Sequence, residues 1–117
     1  CLPVFPARPA SQSFDSGRCV QLTSIATIAD GMGVRGPVPE AVEDMKGLVD
    51  EVRLVSDEDL IEAMRTIYSH TRLLAEPSGA AGIAAIRKAG KEIAGQRVAT
   101  VLCGANLTDD QIRKWIV

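Results

Sequence analysis

Aromatic side chains are scarce in this sequence: two phenylalanines, one tyrosine and one tryptophan among 117 residues. A surface that stacks on nucleic-acid bases needs aromatics set among basic residues, and here 13 Lys and Arg are outnumbered by 15 Asp and Glu. Nucleic acid is therefore not an expected partner. Long apolar runs are also missing. None approaches the roughly 20 residues that cross a bilayer, and no charged-then-apolar leader opens the chain, so no membrane partner is expected. Cysteine is limited to Cys1, Cys19 and Cys103, odd in number and too widely spaced for a disulfide framework or a zinc-ligand pair. Reduced thiols in a cytoplasmic protein are the expectation. The chain opens Cys1-Leu2-Pro3 without an initiator methionine, so a start made by cleavage or truncation, with an upstream part missing, is among the expectations.

What is present is apolar material, 46% of the residues, enough for a modest core in one small domain. The first 20 residues give the weakest structural signal: a short apolar run over 2–5, then Pro, Ser and Gly. Residues 27–34 carry Gly31 and Gly33 one residue apart, a pattern that favours an ordered loop. Val42, Met45 and Val49 recur at helical spacing over 40–49, behind Pro37 and Pro39. Residues 51–55 alternate as a strand, and Ser56 then caps a helix whose first turn, Asp57-Glu58-Asp59, is acidic, as the helix dipole favours. Leu60, Ile61, Met64, Ile67 and Tyr68 line one face of that helix.

Pro77 opens a further helix whose small residues admit a close neighbour. Residues 98–102, Val-Ala-Thr-Val-Leu, read as a strand buried on both faces of a parallel sheet, followed by a turn at Cys103-Gly104-Ala105-Asn106. Thr108 and Gln111 form a capping box for a last helix carrying Ile112, Trp115 and Ile116. Strands alternating with helices predict an α/β domain, in which ligands gather beyond the carboxyl ends of the strands. Cys103 and its turn occupy such a place.

Few residues carry chemistry by their own pattern. His70, the single histidine, sits near the end of an amphipathic helix and supports a surface or capping role rather than a Ser-His-Asp arrangement. Ser78 lacks the Gly-x-Ser-x-Gly elbow, and the glycines between 31 and 36 make neither a Walker nor a dinucleotide fingerprint. Glu76, directly before a helix N-terminus, is either a capping group or a carboxylate able to hold a cation or an ordered water. Cys103, after an expected buried strand, is either an inert thiol or a weak hydrogen-bond partner for a heteroatom.

Three stretches taken together, Thr27-Ile28-Ala29-Asp30-Gly31, Ala75-Glu76-Pro77-Ser78-Gly79-Ala80 and Val101-Leu102-Cys103-Gly104-Ala105-Asn106, resemble the serine/threonine dehydratase and serine racemase family. The family has the type II pyridoxal-phosphate enzyme fold. Leu48-Val49-Asp50-Glu51-Val52 and Val55-Ser56-Asp57-Glu58 also look like that family, so the resemblance runs from about Phe5 nearly to the end. It implies a partial three-layer parallel-sheet domain of order (β)αβααβα, with residues 1–117 a single C-terminal segment of a dehydratase-like catalytic domain. It also implies that Gly31, Glu76, Cys103 and Gly104 lie on the cofactor side. The loop holding Gly31 would pass beside the cofactor, Glu76 would lie near the ring and its bound water, and Cys103, usually serine in the family, would face the pyridine nitrogen.

The resemblance equally implies what this segment lacks. The family's cofactor-bonding lysine and glycine-rich phosphate cradle lie upstream of the matched region, and Lys46, Lys88, Lys91 and Lys114 match neither. No catalytic residue is assigned, and pyridoxal 5'-phosphate is expected in the complete parent enzyme rather than on this chain alone. Phe5 and Ser11 stand where many members place a glutamate and an aspartate for a divalent cation, so no metal is expected there. No C-terminal regulatory domain is expected either. The implied function is deamination of L-threonine or L-serine to a 2-oxo acid and ammonia, with the isolated chain inactive. The alternatives are a serine racemase-like fragment, or a non-catalytic assembly module that pairs with a missing N-terminal half or with itself.

Overall fold

The computed structural model describes residues 4–5 and 8–117; the opening Cys1-Leu2-Pro3 and the Pro6-Ala7 step of the expected metal-site stretch lie outside the described residues, as does the side chain of Phe5. The chain divides into two compact units, Cys1–Leu54 and Val55–Val117. No helix among the described residues is long and apolar enough to cross a membrane.

In the first unit, strand β1 (Val4–Phe5) pairs in parallel with β2 (Arg53–Leu54), in the register Val4 to Arg53 and Phe5 to Leu54. Helix α1 (Arg8–Ser16) falls where the sequence signal is weakest. Among its described side chains the buried ones are Pro9, Ser11 and Ser13, none of them a large apolar residue, so apolar periodicity does not reveal it. Ser13 is 0% exposed, and its hydroxyl accepts a 2.7 Å hydrogen bond from the Val20 backbone N–H, which meets the requirement that a buried polar group be paired. The expected loop is ordered as a short 3-10 turn, Asp30–Met32, behind the buried Ala29. Helix α2 (Pro39–Met45) opens on a proline, as expected, and buries Val42. It stops short of Val49: Lys46 is already extended, and Gly47 takes a φ of +73° that few other residues adopt.

The second unit is built on α3 (Asp57–Thr71), α4 (Pro77–Ala89) and α5 (Asp109–Trp115). Leu60, Ala63, Met64 and Ile67 of α3 are buried, as are Ala80, Ala81, Ala84 and Ala85 of α4. With alanine on one side the two helices need little room between them. Arg87 to Glu62 at 3.0 Å and Lys88 to Asp59 at 3.6 Å tie the same pair on the solvent side. Trp115 closes α5, and its carbonyl accepts a 2.8 Å hydrogen bond from Nε of Arg65 on α3.

Both expected N-terminal signals form complete capping boxes, Ser56 with Asp59 and Thr108 with Gln111. Residues 98–102 depart from expectation. They form no strand and make no backbone hydrogen bond to another described residue, and Val101 is 78% exposed. The final strand of the expected (β)αβααβα order is therefore absent here. The physical reason is that an apolar strand of this kind needs ladder partners beside it, and the second unit supplies helices only.

The capping box makes a pH prediction. The Ser56 backbone N–H, with the Lys88 ammonium adding to it against partial burial, holds the Asp59 carboxyl below its ordinary 3.8. A lowered carboxyl stabilises the fold above that value, and the contribution disappears as pH falls through the folded-state value. Denaturant unfolding should show stability falling below pH 3.8, with Asp59→Asn removing part of that slope. Ser56→Ala should cost about 1 kcal/mol at neutral pH.

Candidate functional site

Helix α4 positions the candidate residues of the second unit. Glu76 is its N-cap residue, with extended backbone and Pro77 at the first helical position. The Glu76 side chain does not cap the helix. Instead its Oε2 accepts a 3.1 Å hydrogen bond from the backbone N–H of Asn106, while the Glu76 N–H donates at 3.0 Å to the carbonyl of Gly104. One residue thus holds two points of the turn that follows Cys103.

Glycine at 104 suits the backbone and leaves room for a neighbouring side chain. Its φ of +71° is left-handed, and a Cβ there would stand 2.4 Å from Cδ and Oε1 of Glu76. Two further glycines let the chain before this turn lie against α4. A Cβ on Gly79 would fall 1.5 Å from the carbonyl oxygen of Cys103, and one on Gly82 would fall 1.8 Å from Oγ1 of Thr100. Positions three apart share one face of a helix, so Gly79 and Gly82 make a track along which residues 100–103 run.

Beside the turn lies a groove of about 230 Å³ whose walls include Ile67, Leu73, Leu74, Leu102, Cys103 and Gly104. Cys103 is an exposed free thiol, which corrects the reading of it as an inert buried one: that reading depended on a strand covered on both faces. No lysine lines the groove. Lys46 is paired with Glu43 and Lys88 with Asp59, and both of these lysines are exposed, as are Lys91 and Lys114.

Of the expected cofactor-side residues, Glu76, Cys103 and Gly104 come together in the second unit. Gly31 belongs to the first unit, in the 3-10 turn, where its N–H donates to Oδ1 of Asp30 at 2.7 Å. Among the described residues no group of three or more His, Cys, Asp or Glu is placed to hold a metal ion. His70 is exposed near the end of α3, with Nδ1 2.9 Å from both the Thr66 carbonyl and the Ser69 hydroxyl. Sequence reasoning noticed the small residues of α4 without seeing that Gly79 and Gly82 in particular admit the chain before Cys103. The signal was present: two glycines three apart on a helix, in a protein with an expected strand to place.

The overall fold is shared with solved proteins. A structure of the processed form of threonine deaminase isoform 2 from Solanum lycopersicum superposes with a TM-score of 0.87, at 26% identity, over 97% of this chain and 32% of that one. A maize serine racemase structure gives 0.80 at 26% identity, over 97% of this chain and 37% of that one. The fold is that of the type II pyridoxal-phosphate enzymes. A family model described as "Pyridoxal-phosphate dependent enzyme" matches residues 3–104, and the chain belongs to that family. In sequence it is 34% identical over 103 residues to the biosynthetic L-threonine dehydratase of Haemophilus influenzae, covering 86% of this chain and 20% of that protein. The chain thus spans a fifth of that dehydratase and about a third of the two solved enzymes.

The donor set around the groove fits one side of such a cofactor. Among the described residues that line it, it offers a thiol, a glycine turn and apolar walls, and no lysine amine.

The glycine track can be tested by filling it. Alanine is the better helix former by about 1 kcal/mol, but a methyl aimed at a backbone carbonyl has nowhere to go. Gly79→Ala should therefore lower stability in urea unfolding by roughly 1–3 kcal/mol, with Gly82→Ala less affected because a side-chain hydroxyl can turn aside.

Proposed function

We propose that this chain is the ring-side part of a pyridoxal-phosphate-dependent ammonia-lyase that converts L-threonine or L-serine to a 2-oxo acid and ammonia, and that it does not turn over alone. The observation that carries the reading is the cluster of Cys103, Gly104 and Glu76 beside an apolar groove, in a chain of this family whose groove has no lysine. When bound, the cofactor supplies the electron sink for loss of the Cα proton and the β-hydroxyl. In this reading Cys103 would face the pyridine nitrogen and offer it only a weak hydrogen-bonding group, unlike a carboxylate.

A second enzymatic reading, racemisation of serine, is favoured by the structural likeness to the maize racemase, and the residues of this chain serve both reactions alike. A non-catalytic assembly module, joined to a complementary part of the domain or to a second copy, is favoured by the unpaired backbone of residues 98–102.

Two experiments separate these readings. The purified chain, titrated with pyridoxal phosphate, should show no saturable absorbance change and release no ammonia from L-threonine or L-serine; turnover would contradict the need for a lysine from elsewhere. Residues 3–104 grafted into the matching region of the Haemophilus influenzae dehydratase should restore ammonia release. Cys103→Ser should be active in the graft, and Cys103→Ala reduced about tenfold in kcat, the scale of one lost polar contact. A graft that binds cofactor and releases no ammonia from either amino acid would sink the lyase reading, and D-serine formation from L-serine would select the racemase.

A further inference from the structure

Glu76 holds the turn after Cys103 at both of its polar ends. Its N–H donates to the Gly104 carbonyl at 3.0 Å, and its Oε2 accepts from the Asn106 N–H at 3.1 Å. The side chain is free to do this because it takes no part in capping α4, although it occupies the N-cap position. Gly104 completes the arrangement. With no Cβ it leaves the space in which the Glu76 carboxyl group lies, 2.4 Å from where that Cβ would be.

The segment entering the turn is held by a different means, the contact of the Cys103 carbonyl with the bare backbone of Gly79. The main chain of Cys103 is therefore fixed from one side by packing and from the other by Glu76. Within the turn, Leu107 N–H donates to Ala105 carbonyl at 2.9 Å, a short-range bond that does not reach back to α4.

We infer that Glu76 is a positioning residue: its carboxylate clamps the 104–106 turn to the start of α4 and so sets where the Cys103 thiol stands at the groove. Its function is that of a hydrogen-bond acceptor at a set reach, and its charge is secondary. The inference deepens the proposed role of Cys103 and rests on that reading for its use in catalysis. The clamp itself is a property of the free chain.

The test is amide hydrogen exchange by NMR on the full chain without cofactor, with backbone relaxation of Cys103 and Gly104 measured alongside. Glu76→Ala should speed exchange of the Asn106 amide by about tenfold and increase the mobility of Cys103 and Gly104, while amides in the middle of α4 keep their protection. Glu76→Gln, which retains an acceptor oxygen at the same reach, should stay within about threefold of the wild type. Glu76→Asp keeps the charge and withdraws the oxygen by one methylene. It should behave like the alanine variant, and it reads the same point if that variant does not fold.

Unchanged Asn106 exchange in both Glu76→Ala and Glu76→Asp would overturn the clamp. Loss of protection in Glu76→Gln equal to that in Glu76→Ala would overturn the acceptor role. Equal loosening throughout α4 would reassign Glu76 to helix stability. Because no cofactor is present, failure of the lyase reading and failure of the clamp are read in separate experiments.

Discussion

The close approach of residues 100–104 to one face of α4 is the constraint on which the second unit depends. Two helical glycines, Gly79 and Gly82, bring a carbonyl and a threonine side chain to within the volume of a methyl group. This contact places the turn beside Glu76, and the turn places the Cys103 thiol at the groove. Were Gly79 to carry a side chain, the Cys103 backbone would have to lift and carry the turn away from Glu76, whereas at Gly82 the Thr100 hydroxyl can turn aside. The substitution cost at Gly79 is therefore paired with a loss of site geometry, although that glycine contributes no polar group.

The rest of the unit supports that contact by ordinary means. Alanines between α3 and α4 keep the helices close, and each of α3 and α5 starts with a reciprocal capping box that satisfies backbone donors at its open end. The α4 start differs. Proline stands at its first position, and the N-cap carboxylate is directed to the 104–106 turn instead of to its own helix. A residue type that would ordinarily stabilise a helix end is here used across the unit. That is the feature that separates a structural N-terminus from a candidate site.

Local signals in the sequence were read well where they are short-range. Ser56, Pro77 and the Thr108/Gln111 pair each announced a helix start, because capping chemistry involves residues three apart and needs nothing distant. Helix α1 was not legible, since the buried residues among those described are Pro9, Ser11 and Ser13, and only a tertiary setting gives the Ser13 hydroxyl its partner at Val20. Residues 98–102 failed for the opposite reason. Their apolar pattern is suited to a sheet that the second unit does not contain, so the pattern is present and the ladder is not. The candidate site was legible mainly through family resemblance: Glu76, Cys103 and Gly104 were singled out together, while the track of Gly79 and Gly82 and the bond to Asn106 required coordinates.

Solution NMR distances across the glycine track test this account most directly. The account predicts nuclear Overhauser contacts from the Gly82 Hα protons to the Thr100 side chain and from the Gly79 Hα protons to the Cys103–Gly104 backbone, seen in the free chain. Their presence would establish that α4 seats the turn without help from a ligand or a partner. Their absence, with α4 itself intact, would contradict the account, because Glu76 and Cys103 would then have no common frame in which to form a site.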